Sequence, residues 1–65
     1  MNSSRKRVSG TLSNGRRGLI LTTDESEVWV IDTEDDAGQL LGRRVVVEGA
    51  HAGLDRLRAD WIGAI

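Results

Sequence analysis

Alternation of apolar and polar residues with a period of two is the feature that most limits what this chain can fold into. It is clean in Val8-Ser9-Gly10-Thr11-Leu12 and Leu57-Arg58-Ala59-Asp60-Trp61, and Leu19-Ile20-Leu21-Thr22 and Val28-Trp29-Val30-Ile31-Asp32 are apolar runs of strand length between them. Successive side chains on a strand point to opposite faces, so such runs bury one face and wet the other. Glycines and short polar clusters separate the runs, as turns require. Ser13-Asn14-Gly15-Arg16 contains Asn-Gly, the strongest short signal for a type I′ hairpin, because both central residues there need positive φ. Asp24-Glu25-Ser26 makes a second polar turn, and together these predict a three-stranded meander.

The period then changes. Thr33-Glu34-Asp35-Asp36 has the form of a capping box, and Ala37, Leu40 and Leu41 follow at helical spacing. Gly42 stands where a left-handed residue would end a helix. The spacing predicts a helix of about two turns, too short to be stable alone and therefore docked through Leu40 and Leu41. A fourth strand over Arg43–Glu48, a loop through Gly49-Ala50-His51-Ala52-Gly53 and a fifth strand over Leu54–Ile62 complete the order β-β-β-α-β-β.

Five strands with a short helix between the third and fourth is the layout of the oligonucleotide/oligosaccharide-binding (OB) fold, a small all-β barrel. The segments Val8–Leu12, Val28–Asp32, Leu41–Gly49 and Leu57–Ile62 resemble a family of short bacterial OB-type domains of unknown function. The resemblance covers nearly the whole chain after Ser4. It implies a five-stranded OB-like barrel and no activity, since fold is not function. The expected organisation is a flexible basic segment over residues 1–6 and one barrel domain over residues 7–65.

A hairpin centred on Asn14-Gly15 pairs Val8 with Leu21, Ser9 with Ile20 and Gly10 with Leu19. A turn centred on Glu25 pairs Leu21 with Trp29, Ile20 with Val30 and Leu19 with Ile31. The core then comprises Val8, Leu12, Leu19, Leu21, Trp29, Ile31, Val45, Val47, Leu57, Ala59 and Trp61, with Leu40 and Leu41 closing one end. A slip of one residue would turn the whole set outward. This register leaves Ile20, Val28, Val30 and Val46 facing out. With Thr22 they form the candidate interaction surface, in which Ile20 and Val30 would nucleate an apolar contact with another chain. β-Branched residues also favour strands for their own sake, which is the plainer account of the same pattern.

Basic residues come in groups. Arg7, Arg16, Arg17, Arg43, Arg44, His51, Arg56 and Arg58 are the candidate contacts for an anion or a nucleic acid. Against that reading, nine Lys and Arg face ten Asp and Glu, for a net charge of −1. Single-strand binding also needs rings on which bases stack. The chain has no Phe or Tyr, and both tryptophans fall on the expected core face. The favoured reading is that the arginines pair with the acids and keep a small barrel soluble.

Catalysis is not expected. The carboxylate pairs Asp24-Glu25 and Asp35-Asp36 fall in a turn and a helix start, solvated places where pKa values shift little. The serines lie in no nucleophile motif. With no cysteine and a single histidine, neither disulfides nor a metal site is expected, and no cofactor is implied. No apolar run is long enough to span a membrane, and the cytoplasm is the default location. A domain this small has marginal stability, which a partner chain can supplement. The sequence therefore predicts a non-catalytic binding or assembly module, as a homo-oligomer or docked on a larger protein. The alternative is single-stranded nucleic-acid binding across strands two and three.

Overall fold

The computed structural model describes residues 5–34 and 36–65. The expected N-terminal segment falls in part, over residues 1–4, outside the described residues, as does Asp35 of the capping-box pattern. Among the described residues five strands form in chain order: β1 (Arg5–Gly15), β2 (Gly18–Thr23), β3 (Val28–Asp32), β4 (Arg44–His51) and β5 (Arg56–Ala64). They make one sheet that closes on itself in a ring, ordered β1-β2-β3-β5-β4 with β4 paired back onto β1. All contacts are antiparallel except β3 with β5, which run parallel through Val30–Arg56, Ile31–Leu57 and Asp32–Arg58.

β1 serves two neighbours. Arg5–Thr11 pair with β4 and Gly10–Gly15 with β2, so the strand passes from one partner to the other at Gly10. A Cβ at Gly10 would collide with the Thr22 carbonyl, and only glycine permits that approach. The expected Asn14-Gly15 turn does not form. Gly15 pairs with Gly18 across Arg16-Arg17, and Leu12, not Val8, faces Leu21. Neither Asn14 nor Gly15 has positive φ; Gly18 takes the left-handed position instead, at φ 115°. The β2–β3 register is as expected, with Leu19, Ile20 and Leu21 opposite Ile31, Val30 and Trp29. Its turn is held by Thr23, whose Oγ1 accepts from the Glu27 amide at 3.0 Å.

Among the described residues no α-helix joins β3 to β4. The segment makes one 3₁₀ turn over Gly38–Leu40. The Asp36 side chain accepts from the Gly38 amide at 2.9 Å, an Asx turn that competes with helix initiation. Gly38 further weakens any helix there. Leu40 then donates back to the Ala37 carbonyl, three residues away, at 2.9 Å. Gly42 has the expected positive φ, and its amide donates to the Leu12 carbonyl, tying the segment to β1. Leu41 does not close the core: it is exposed, and Ala37 is buried instead.

The interior holds Leu12, Leu21, Ile31, Ala37, Val45, Val47, Leu57 and Ala59, with Val8, Leu19, Trp29, Leu40 and Ile62 packed around them. Each fully buried aliphatic side chain contributes roughly 1.5–3 kcal/mol. Trp61 is not among them. A bulge at Glu48/Gly49 sets Glu48 opposite Trp61 but Gly49 opposite Ala59, so Asp60 is an extra residue in β5. A Cβ at Gly49 would strike the Arg58 carbonyl, so the bulge depends on glycine. The extra residue reverses the parity of the rest of β5. Ile62 turns inward, and Trp61 turns out.

Candidate surface on the outer wall

Outward-facing residues line up in rows across β1, β4 and β5. One row is Arg5–Ala50–Arg58, the next Arg7–Glu48–Trp61, then Ser9–Val46–Gly63. In a fourth row Arg44 stands opposite Thr11, and its carbonyl accepts from the Ile65 amide at 3.0 Å. Trp61 is 51% exposed. Its indole lies along β5 over Gly63, where a Cβ would come within 2.5 Å of the ring. A glycine there gives the ring its floor. Val46, half-buried, flanks it on β4.

The surface expected on β2 and β3 is smaller than the sequence indicates. Ile20 is half-buried, Thr22 and Val28 are exposed, and Val30 is only 1% exposed. Val30 faces outward in register, between Ile20 and Arg56, yet it is buried. The Arg56 guanidinium bonds Asp32 on that same face at 2.9 Å. Ile20 and Val30 therefore do not form an open apolar patch, and Val46 belongs to the other wall.

The basic candidates fall into two sets. Arg7, Arg17, Arg44 and Arg56 each face a carboxylate: Glu48 at 3.5 Å, Asp55 at 2.8 Å, Asp24 at 2.8 Å and Asp32 at 2.9 Å. Arg5 does the same with Asp60, through two hydrogen bonds of 2.8 and 3.1 Å. Hydrogen bonds from these guanidinium groups hold the carboxyls of Asp24, Asp55 and Asp60 below their ordinary range, from Arg44, Arg17 and Arg5 respectively. Arg16, Arg43 and Arg58 have no ion pair among the described residues, but they do not converge. Arg16 sits on the β1–β2 turn. Arg43 precedes the row of Arg44 and Ile65, about 20 Å along β5 from Arg58 at the usual strand rise. His51 ends β4 and stands edge-on to Trp29, ring centres 5.2 Å apart. Its Nε2 lies 3.3 Å from the Leu54 carbonyl. Trp29 Nε1 is buried and finds no acceptor among the described residues.

A shallow depression of about 600 Å³ opens where β3 departs from β5, lined by residues that include Asp32, Glu34, Arg58 and Asp60. Asp32 and Asp60 are already bonded to Arg56 and Arg5. Among the described residues no group of three or more His, Asp or Glu side chains is arranged to hold a metal ion. No helix among them is long and apolar enough to cross a membrane.

What sequence reasoning missed is Trp61, and the signal for it was Gly49, the residue that admits the bulge. Fold and surface define a small all-β domain with a closed five-stranded sheet and one indole on its outer wall. Residues 9–65 match a family described as protein of unknown function (DUF5818), and the chain belongs to that family. No curated protein and no solved structure matches it.

Proposed function

We propose that this is a non-catalytic binding or assembly module of OB type, acting through the wall of β1, β4 and β5. The ring order β1-β2-β3-β5-β4 supports the OB assignment, since that fold is a five-stranded Greek-key barrel. The observation that carries the reading is Trp61, 51% exposed at the centre of that wall. Tryptophan anchors are enriched among the residues that dominate binding energy, because they bury much area at little entropic cost. Around it, arginines fixed by carboxylates make a charged rim. Carboxyls held ionised by arginine are poor proton donors near neutral pH, which favours binding over catalysis.

Single-stranded nucleic acid is a second reading, favoured by that same indole, since stacking contributes roughly 1–3 kcal/mol per base. It is weakened by the arginines already bonded to acids. The two separate in an amide-shift titration of the protein against itself and against a short oligothymidylate at about 0.2 M salt, where purely electrostatic binding fades. Shifts on self-titration at Val46, Glu48, Trp61 and Gly63, with none from the oligonucleotide, are the expected result. Oligonucleotide shifts at Trp61 would install the nucleic-acid reading instead. Shifts confined to Ile20, Thr22 and Val28 would return the surface to β2 and β3.

A further inference from the structure

β5 has one open edge. It pairs with β3 only through Arg56, Leu57 and Arg58, while its other side pairs with β4 up to Ala64. The bond from Ile65 to the Arg44 carbonyl fixes the alternation of that antiparallel ladder. Trp61 and Gly63 turn their amides toward β4. Ile62 and Ala64 turn theirs to the open side, where no described backbone group meets them. Exposed strand edges are usually blunted by charge, proline or a bulge. Here Asp60 and its bulge blunt the start of the edge, but Trp61-Ile62-Gly63-Ala64 carries no charge and no proline.

We infer that this edge pairs with the same edge of a second copy, antiparallel across a two-fold axis, with Gly63 facing Gly63 of the other molecule. The inference rests on the proposed wall and names its partner. In this register the Ile62 amide and carbonyl meet those of Ala64 in the other copy, twice over. Trp61, 51% exposed, comes opposite Ile65, 66% exposed, so each copy covers the other's apolar residue. The two glycines at the axis carry no side chain, and the indole that already lies over each of them fills the space. Charges continue the match. Arg7–Glu48–Trp61 in one copy runs on into Ile65–Arg44 in the other, where Arg44 is held by Asp24, so signs alternate along the row. A net charge of −1 offers little repulsion.

Area sets the strength. A standard interface takes about 800 Å² from each partner, nearly a fifth of this molecule's 4367 Å². One strand edge with two apolar side chains covers less, so the dimer is weak and depends on concentration.

Sedimentation velocity on the full chain, up to about 1 mM to reach weak specific association, tests this with two variants. Ala64→Pro removes an amide that faces solvent in the monomer, a place where an edge strand tolerates proline. Trp61→Lys puts charge at the centre of the wall. Wild-type mass should climb from 7.1 kDa toward twice that value, and each variant should raise the dissociation constant at least about tenfold while keeping the wild-type circular dichroism. A wild type that stays monomeric throughout overturns the inference. Undiminished dimerisation of Ala64→Pro, with loss in Trp61→Lys, overturns edge pairing but leaves the wall as the binding surface. Undiminished dimerisation of both variants removes edge and wall together.

Discussion

Arg17 on the β1–β2 turn and Asp55 in the β4–β5 loop are joined by two hydrogen bonds, Nη1 to Oδ2 at 2.8 Å and Nη2 to Oδ1 at 3.2 Å. Residues 38 apart in sequence thus strap the β1–β2 turn to the β4–β5 loop. The same Asp55 accepts from the Val30 amide through its backbone carbonyl at 2.7 Å. The strap and the β3–β5 junction share one residue. Exposed ion pairs add little to global stability, but they restrict the segments they connect.

Asp55→Ala is therefore expected to leave the fold intact and speed amide exchange in Ala52–Asp55. Exchange followed by NMR is the measurement. Rates unchanged in that loop would show that its order comes from the backbone bonds alone.

Acid should weaken the protein in a defined window. The carboxyls of Asp24, Asp55 and Asp60 sit below their ordinary value of 3.8, each because an arginine hydrogen-bonds the ionised form. The unfolded chain thus binds protons more readily than the folded one near that value, and stability rises with pH there. The contribution is complete above the ordinary carboxylate pKa and disappears as pH falls through the lowered values. Thermal midpoints from pH 2 to 7 should be flat at the upper end and drop below about 4. Added salt should shrink the drop, because these pairs are exposed.

The interior makes a different demand. Leu21 and Leu57 are fully buried, and either Leu→Ala change should cost about 2–5 kcal/mol. Small domains hold only about 5–15 kcal/mol in total, the smallest of them less. Urea unfolding should show either variant largely unfolded or with a sharply lowered midpoint. Leu54→Ser, at a residue 98% exposed, should leave the midpoint in place. Equal effects at Leu21 and Leu54 would mean that the core is wrongly assigned.

How much of the fold was legible in the sequence depends on what sets each register. The β2–β3 pairing was legible because one polar turn fixes it. The β1–β2 pairing differed by four residues, Leu12 and not Val8 standing opposite Leu21. An even slip preserves parity, so the inward set of β1 and β2 came out unchanged. The expected helix failed on local competition: a capping-box pattern is also an Asx-turn pattern when glycine follows the acid, as Gly38 follows Asp36 by two. Val30 has outward parity yet is buried, and one of its two register neighbours is Arg56, from far along the chain. That contact is non-local, and alternation within β3 carries no trace of it.

Trp61 is the case where parity itself misleads. Leu57, Ala59 and Trp61 keep a strict period of two, yet the first two are buried and the third is not. The interruption is Asp60, unpaired because Gly49 lets the Arg58 carbonyl come close. Deleting Asp60 would restore regular alternation: Ala59 in, Trp61 out, Ile62 in. The deletion should therefore fold and keep Trp61 exposed, with its emission maximum and acrylamide quenching unchanged against a Trp29→Phe background. Gly49→Ala leaves the extra residue in place but puts a Cβ against the Arg58 carbonyl, so it should lower the thermal midpoint more than the deletion does. A blue shift in the deletion variant would mean that Trp61 had turned inward. Its outward direction would then depend on the bulge itself and not on the pairing of Glu48 with Trp61.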